Sequence, residues 1–131
     1  MAKMLVVDDE LDICNFLKSF FVEKQYEVRT ATGGEEALAL ARSEKPDVVL
    51  LDIKMPGMSG IEALRQLKEI DKKIKVIMVT AVEEISMVDL AKELGADDYI
   101  TKPFSLAYLE KDVMRKLVDL LVEKAKGGKG S

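Results

Sequence analysis

The sequence has no histidine, no tryptophan and only one cysteine, Cys14. Without histidine, the chain cannot form a histidine-ligated zinc site, a Ser-His-Asp triad or a phosphohistidine of its own. A single cysteine allows no intrachain disulfide, so a reducing cytoplasm suits the chain. Aromatic residues make up only 5% of the 131 residues, which argues against a surface that stacks nucleic-acid bases.

Long apolar runs and excess positive charge are also missing. The apolar runs at residues 4–7 and 48–51 are far shorter than the roughly 18 residues that cross a bilayer, and no signal peptide precedes them. The net charge is −4, which argues against broad nucleic-acid binding. We therefore expect one soluble globular domain with no membrane and no direct nucleic-acid partner.

Short runs rich in β-branched residues alternate with segments of helical period. The short runs predict five strands, at residues 4–7, 27–30, 48–51, 76–79 and 99–101. Between and after them, apolar residues recur every three or four positions, which predicts five helices. Such alternation is typical of an α/β fold, a doubly wound parallel sheet with right-handed crossovers. We expect one domain over residues 1–123 and a flexible, glycine- and lysine-rich tail over residues 124–131.

The first predicted helix carries a regular apolar stripe. Ile13, Phe16, Leu17, Phe20 and Phe21 follow the spacing of one helix face. We expect the three phenylalanines to lie in the core, because such a stripe normally packs against a sheet.

Polar residues follow the apolar runs at the carboxyl ends of the predicted strands. Asp8 and Asp9 follow the first strand, Asp52 the third, Thr80 the fourth and Lys102 the fifth. In doubly wound sheets these ends meet at one edge, where sites form. Crowded carboxylates suit Mg²⁺, and a lysine and a hydroxyl suit phosphoryl oxygens. The residues alone therefore predict a Mg²⁺-dependent aspartyl-phosphate site.

The same segments resemble the receiver domain of two-component response regulators. The resemblance covers residues 3–121 and rests on LVVDDE at 5–10, PDVVLLDIKMPGMSG at 46–60, VTA at 79–81 and GADDYITKPF at 95–104. It implies a flavodoxin-like sheet with strand order 2-1-3-4-5, and a stand-alone receiver of the chemotaxis or sporulation-relay kind.

The resemblance also implies a role for each matching residue at the site. Asp52 is the expected phosphoacceptor, and with Asp8, Asp9 and the backbone carbonyl of Lys54 it is expected to hold Mg²⁺ or Mn²⁺. The expected phosphoryl donor is a histidine kinase or a histidine phosphotransfer protein.

Further roles concern the phosphoryl contacts and the switch. Thr80 and Lys102 are expected to contact the phosphoryl group, Thr80 and Tyr99 to form the switch, and the bond before Pro103 to be cis. The expected output face comprises helix 4, strand 5 and helix 5, with the residues Val82, Met87, Leu90 and Tyr99.

The implied activity is a signalling switch and not a classical enzyme. The chain is expected to catalyse only its own phosphorylation and a slow self-dephosphorylation, since neither Lys54 nor Val82 offers a carboxylate or amide to orient water. A monomer, or a weak dimer dependent on phosphorylation, is expected.

Three alternatives stay open. The chain could be a receiver excised from a larger regulator or a hybrid kinase. A phosphohydrolase of the haloacid dehalogenase type uses similar residues, but in a different chain order and with an acid at the position of Lys54. A flavodoxin-like binding module would need phosphate-binding glycines and hydroxyls where Asp8 and Asp9 stand.

Overall fold

The computed structural model describes residues 1–130, and the side chains of residues 1–127. Strands and helices alternate along this part of the chain. The strands are β1 (Lys3–Val7), β2 (Glu27–Ala31), β3 (Val48–Asp52), β4 (Lys75–Thr80) and β5 (Asp98–Thr101). The first four helices are α1 (Leu11–Glu23), α2 (Gly34–Glu44), α3 (Gly60–Ile70) and α4 (Met87–Glu93), with a 3-10 turn (Val82–Glu84) before α4.

The fifth helical segment, α5, covers residues 106–130. It begins with a turn at Leu106–Tyr108, passes through a π-helical stretch at Leu109–Val113 and continues as Met114–Gly130. Residues 124–130 of the predicted tail are thus part of a helix, and Ser131 lies outside the described residues. The domain boundary at residue 123 stays a prediction.

Within residues 1–130, the five strands form one parallel sheet with the order β2-β1-β3-β4-β5. This confirms the predicted doubly wound fold and strand order. After β2 the chain crosses to the other side of β1 to form β3, so a crevice opens between β1 and β3 at their carboxyl ends. None of the described helices is long and apolar enough to cross a membrane.

Two apolar layers cover the sheet. On one face α1 and α5 pack against alternate strand residues, and on the other face α2, α3 and α4 do the same. Strand residues such as Leu50 and Leu51 are fully buried, one on each face. Burying one such side chain contributes about 1.5–3 kcal/mol, so both layers hold the strand ends in fixed positions.

One prediction about the core is wrong in part. Phe20 and Phe21 are buried, but the side chain of Phe16 is 41% exposed. The buried positions of α1 centre on Leu17, and Phe16 lies one residue, about 100° around the helix, from that centre. Phe16 therefore stands at the margin of the buried stripe, beside Pro103 and Phe104.

Candidate functional site

Three carboxylates meet at the carboxyl ends of β1 and β3. These strands are neighbours, and Val7 pairs with Leu51. Asp8 and Asp52 are the next residues along the two strands, so they lie side by side. Oxygens of Asp8, Asp9 and Asp52 all lie within 4.8 Å of one another. Asp8 and Asp52 are buried, and Asp9 is exposed.

Lys102 reaches this cluster from the end of β5. Its Nζ lies 2.8 Å from Oδ2 of Asp8 and 3.2 Å from Oδ2 of Asp52. The backbone N–H of Lys102 donates to the carbonyl of Thr80, and the Lys102–Pro103 peptide bond is cis, the geometry that the resemblance implies. Burial acts to lower the pKa of Lys102, but hydrogen bonds and the charges of the two aspartates outweigh it, so the pKa is raised. Lys102 is therefore a fixed cation within the cluster.

Asp52 is the carboxylate with the most perturbed acidity. Burial first, and the nearby charge of Asp8 second, raise its pKa to about 6, against the opposing effect of Lys102 and a backbone hydrogen bond at Lys54. At pH 7 the group is still mostly ionised, because that pH lies above its pKa. Its carboxylate is thus a charged, poorly solvated group, as a nucleophile requires.

The main chain around Asp52 allows no side chain at residue 60. A Cβ at Gly60 would overlap the carbonyl oxygen of Asp52, and the Gly60 N–H donates to the carbonyl of Ile53 at 2.8 Å. Ser59 then caps α3 by accepting a hydrogen bond from the N–H of Glu62. This tight turn sets where Asp52 stands at the end of β3.

The carboxylate cluster opens into a cleft of about 530 Å³. The cleft is lined by the residues Asp9, Glu10, Asp52, Lys54, Met55, Pro56, Ala81, Glu84 and Lys102. Glu84 was not predicted from the sequence. It reaches the cleft because the 3-10 turn after β4 carries it there, and no strand or helix period signals such a turn.

Thr80 ends β4 and is fully buried. Its hydroxyl donates to the carbonyl oxygen of Ala81 at 2.9 Å. The Thr80 hydroxyl, which the sequence predicts to contact a phosphoryl oxygen, therefore donates to the Ala81 carbonyl instead. A phosphoryl contact therefore requires a rotation of this side chain.

The residues of the predicted output face lie on and around α4. Val82 and Leu90 are exposed, by 69% and 41% of their surface. Met87 and Tyr99 are partly buried and pack against the layer that α2, α3 and α4 form. The face therefore combines exposed apolar groups with an aromatic ring at the sheet edge.

The donor set fits a hard divalent ion. Carboxylate oxygens are the ligands that Mg²⁺ prefers, and at a metal–oxygen distance of 2.0–2.1 Å two ligands lie at most about 4 Å apart. The separation of up to 4.8 Å between the three carboxylates is close to this limit. The side chains of Asp8, Asp9 and Asp52 could therefore hold one ion after a small contraction.

The comparisons with known proteins agree with this geometry. The family model of the response regulator receiver domain matches residues 4–114. The chain is 42% identical over 118 residues to sporulation initiation phosphotransferase F of Bacillus subtilis, covering 90% of this chain and 94% of that protein. It is 47% identical over 103 residues to the alkaline phosphatase synthesis transcriptional regulatory protein PhoP of the same organism, covering 79% of this chain and 43% of that one.

Solved structures show the same fold. A CheY-like response regulator receiver domain protein from Methanospirillum hungatei superposes with a TM-score of 0.88 at 31% identity, covering 97% of this chain and 98% of that one. A receiver domain protein from Clostridium thermocellum also gives a TM-score of 0.88 at 31% identity, covering 95% and 98% of the two chains. The chain therefore belongs to the response regulator receiver domain family and is a signalling switch that accepts a phosphoryl group.

Proposed function

We propose that Asp52 accepts a phosphoryl group from a histidine on another protein and that this step switches the face around α4. One observation carries the proposal. The ionised, poorly solvated Asp52 carboxylate lines an open cleft, within 4.8 Å of the carboxylates of Asp8 and Asp9 and within 3.2 Å of the Lys102 ammonium. The donor histidine must lie outside residues 1–131, because these residues contain no histidine.

The transfer forms a bond between an oxygen of Asp52 and phosphorus and breaks the bond between phosphorus and the donor's imidazole nitrogen. The nitrogen keeps the electron pair and takes up a proton. Lys102 stands where it can neutralise charge on the transferred oxygens. A Mg²⁺ ion held by Asp8, Asp9, Asp52 and the Lys54 carbonyl would supply further positive charge for that group. Mn²⁺ has the same ligand preference.

The approach of the donor is supported by an apolar groove next to the cleft. This groove, of about 310 Å³, is lined by Ile13, Phe16, Pro103 and Phe104, and it shares Lys102 with the cleft. A partner that presents a phosphohistidine to Asp52 necessarily covers this neighbouring surface. We therefore assign the exposed ring of Phe16 to the contact with the histidine kinase or phosphotransfer protein.

The output step is proposed to run from Thr80 to Tyr99. When the Thr80 hydroxyl turns from Ala81 toward a phosphoryl oxygen, the turn before α4 moves with it. Met78 pairs with Tyr99 and Thr80 pairs with Thr101, so the side chains of Thr80 and Tyr99 point to the same face of the sheet. Rotation of the Tyr99 ring then changes the surface that Val82, Met87 and Leu90 present to a downstream protein.

The relatives include both a short protein and a longer regulator. The chain spans 94% of sporulation initiation phosphotransferase F but 43% of PhoP. We propose a single-domain regulator in the cytoplasm, a monomer or a weak dimer after phosphorylation, with a receiver from a longer regulator as the alternative. Self-dephosphorylation is proposed to be slow, since no carboxylate or amide stands at Lys54 or Val82 to orient water.

Intact mass spectrometry tests the function directly. The protein is incubated with acetyl phosphate and Mg²⁺, beside Asp52→Asn and the control Asp71→Asn, which changes an exposed aspartate away from the cleft. We expect one added phosphoryl group in the wild type and in the control, and none in Asp52→Asn or with EDTA. Addition to Asp52→Asn would refute the assignment, and turnover of small phosphate esters would favour a phosphohydrolase.

A further inference from the structure

Lys116 of α5 makes three contacts with the end of the sheet that carries Tyr99. Its Nζ donates to the backbone carbonyl of Tyr99 at 2.7 Å and to Oδ1 of Asp98 at 3.1 Å. The same ammonium lies 5.1 Å from the centroid of the Tyr99 ring. Asp98 Oδ1 also accepts the backbone N–H of Tyr99 at 2.8 Å. Lys116 and Asp98 therefore hold both backbone polar groups of Tyr99.

A second cation contacts the ring from the other helix. Nζ of Lys92, on α4, lies 5.8 Å from the ring centroid. Both cations reach the ring because β5 is the edge strand of the sheet, with α4 on one face and α5 on the other. Both distances fall within the roughly 6 Å over which a cation attracts an aromatic ring.

The two cations differ in how firmly they are placed. An ammonium has three donors, and Lys116 directs two of them at Asp98 and at the Tyr99 carbonyl. Lys116 is 23% exposed, so it is also poorly screened by water. Because these two hydrogen bonds, one to a side chain and one to the backbone, fix the ammonium, it cannot follow the ring when the ring rotates. Rotation of Tyr99 therefore breaks the cation–ring contact and leaves the hydrogen bonds in place.

We propose that Lys116 is a positioning residue that holds the Tyr99 ring at the sheet edge and opposes its movement toward Thr80. The proposal rests on the proposed function, in which that movement accompanies phosphorylation. Because the contact exists only with the ring in the observed position, it lowers the free energy of the resting state alone. Loss of the contact shifts the population of Tyr99 toward the switched position, before any phosphoryl group is bound.

The test compares three variants. Lys116→Met removes the charge and keeps the length of the side chain, and Lys116→Arg restores a cation. Lys24→Met is a matched control, because Lys24 also combines an ion pair, with Glu110, and a cation–ring contact, 5.3 Å from Phe20, at a site away from Tyr99. Affinity for beryllofluoride in Mg²⁺, an analogue of the aspartyl phosphate, is measured by titration for each protein.

We expect Lys116→Met to bind beryllofluoride roughly two- to fivefold more tightly than the wild type, the equivalent of one cation–ring contact. The affinity of Lys116→Arg for beryllofluoride is expected to lie within about twofold of the wild-type value, and that of Lys24→Met to be unchanged. Unchanged or weaker binding by Lys116→Met would overturn the proposal. An equal gain in Lys24→Met would also overturn it, since the effect would then be general.

A second measurement separates this proposal from the proposed function. The ring signals of Tyr99, with ¹³C-labelled tyrosine and assignment by Tyr99→Phe, are followed by NMR without beryllofluoride. A shift in Lys116→Met toward the position that the Tyr99 signals take in the beryllofluoride-bound wild type, absent in Lys24→Met, supports the positioning role. Identical signals, or a shift away from that position, refute it. Failure of the wild type to bind beryllofluoride would instead overturn the phosphoacceptor function, whatever the ring signals show.

Discussion

Replacement of Asp52 by Asn is expected to stabilise the protein at neutral pH. The pKa of Asp52 rises from 3.8 to about 6 on folding, because burial and the charge of Asp8 disfavour its ionised form. One pKa unit corresponds to 1.36 kcal/mol, so ionised Asp52 opposes folding by about 3 kcal/mol at pH above 6. Asn has nearly the same shape and cannot ionise. The pKa of about 6 already includes the attraction of Lys102, so we expect a net gain of up to about 3 kcal/mol, or about 1–3 kcal/mol with solvent screening.

The pH dependence gives the sharper test. Since the folded protein binds the Asp52 proton more tightly than the unfolded chain does, the wild type loses stability as the pH rises from about 4 to about 6. In Asp52→Asn this loss is absent. The gain from the substitution is therefore expected in full at pH 7.5 and to be small at pH 4.

Urea denaturation followed by circular dichroism at both pH values, in EDTA, measures the difference, with Asp71→Asn as control. The m-value is expected to stay the same, so the midpoint reports stability. Mg²⁺ is expected to stabilise the wild type more than Asp52→Asn, because the ion binds only the folded cluster. A variant that is no more stable than the wild type at pH 7.5, or whose gain grows on acidification, would refute the reasoning about burial.

Three further predictions concern the core, the turn and the cation of the site. Phe20→Ala is expected to lower the free energy of unfolding by about 3–5 kcal/mol, and Phe16→Ala by less than about 1 kcal/mol, since only the first ring is buried; equal losses in urea titrations would contradict the packing. Gly60→Ala is expected to lower the free energy of unfolding by several kcal/mol, roughly the upper range for single substitutions, because its Cβ overlaps the main chain. Gly33→Ala is expected to have a much smaller effect, because its Cβ meets nothing within 4 Å. Thermal denaturation measures both glycine variants, and equal melting temperatures would contradict this prediction. Lys102→Met leaves two buried carboxylates without their cation, so we expect a loss of about 2–4 kcal/mol at pH 8 that Mg²⁺ partly restores, and a variant as stable as the wild type in EDTA would speak against the ion pairs.

The strand ends were predictable because short strand-type runs and segments of helical period alternate regularly along the chain. The five predicted strands lie within one residue of the observed strands at either end, and the polar residues after them meet at one edge, as parallel strands require. Asp8, Asp9, Asp52 and Lys102 therefore come together as predicted. Their roles in phosphoryl transfer stay predictions.

Other features depend on how elements turn and pack. Phe16 is exposed because α1 is oriented with Leu17 at the centre of its buried face. The apolar stripe of five residues predicts the orientation of this helix only to within one residue. Glu84 lines the cleft because a 3-10 turn follows β4, and short turns of this kind have no periodic signal. The contacts of Lys116 with Tyr99 join residues 17 positions apart across the sheet edge, where residue spacing gives no information.

Apolar periodicity and connection rules along the chain were enough to determine the doubly wound fold and the edge at which the polar residues meet. The order of the strands followed from the motifs that the sequence shares with receiver domains. Only the tertiary structure decided the raised pKa of Asp52, the hydrogen bond that holds Thr80 and the cations around Tyr99. Burial, hydrogen bonding and charge act over a few ångströms in space. Their balance exists only after distant segments have packed together.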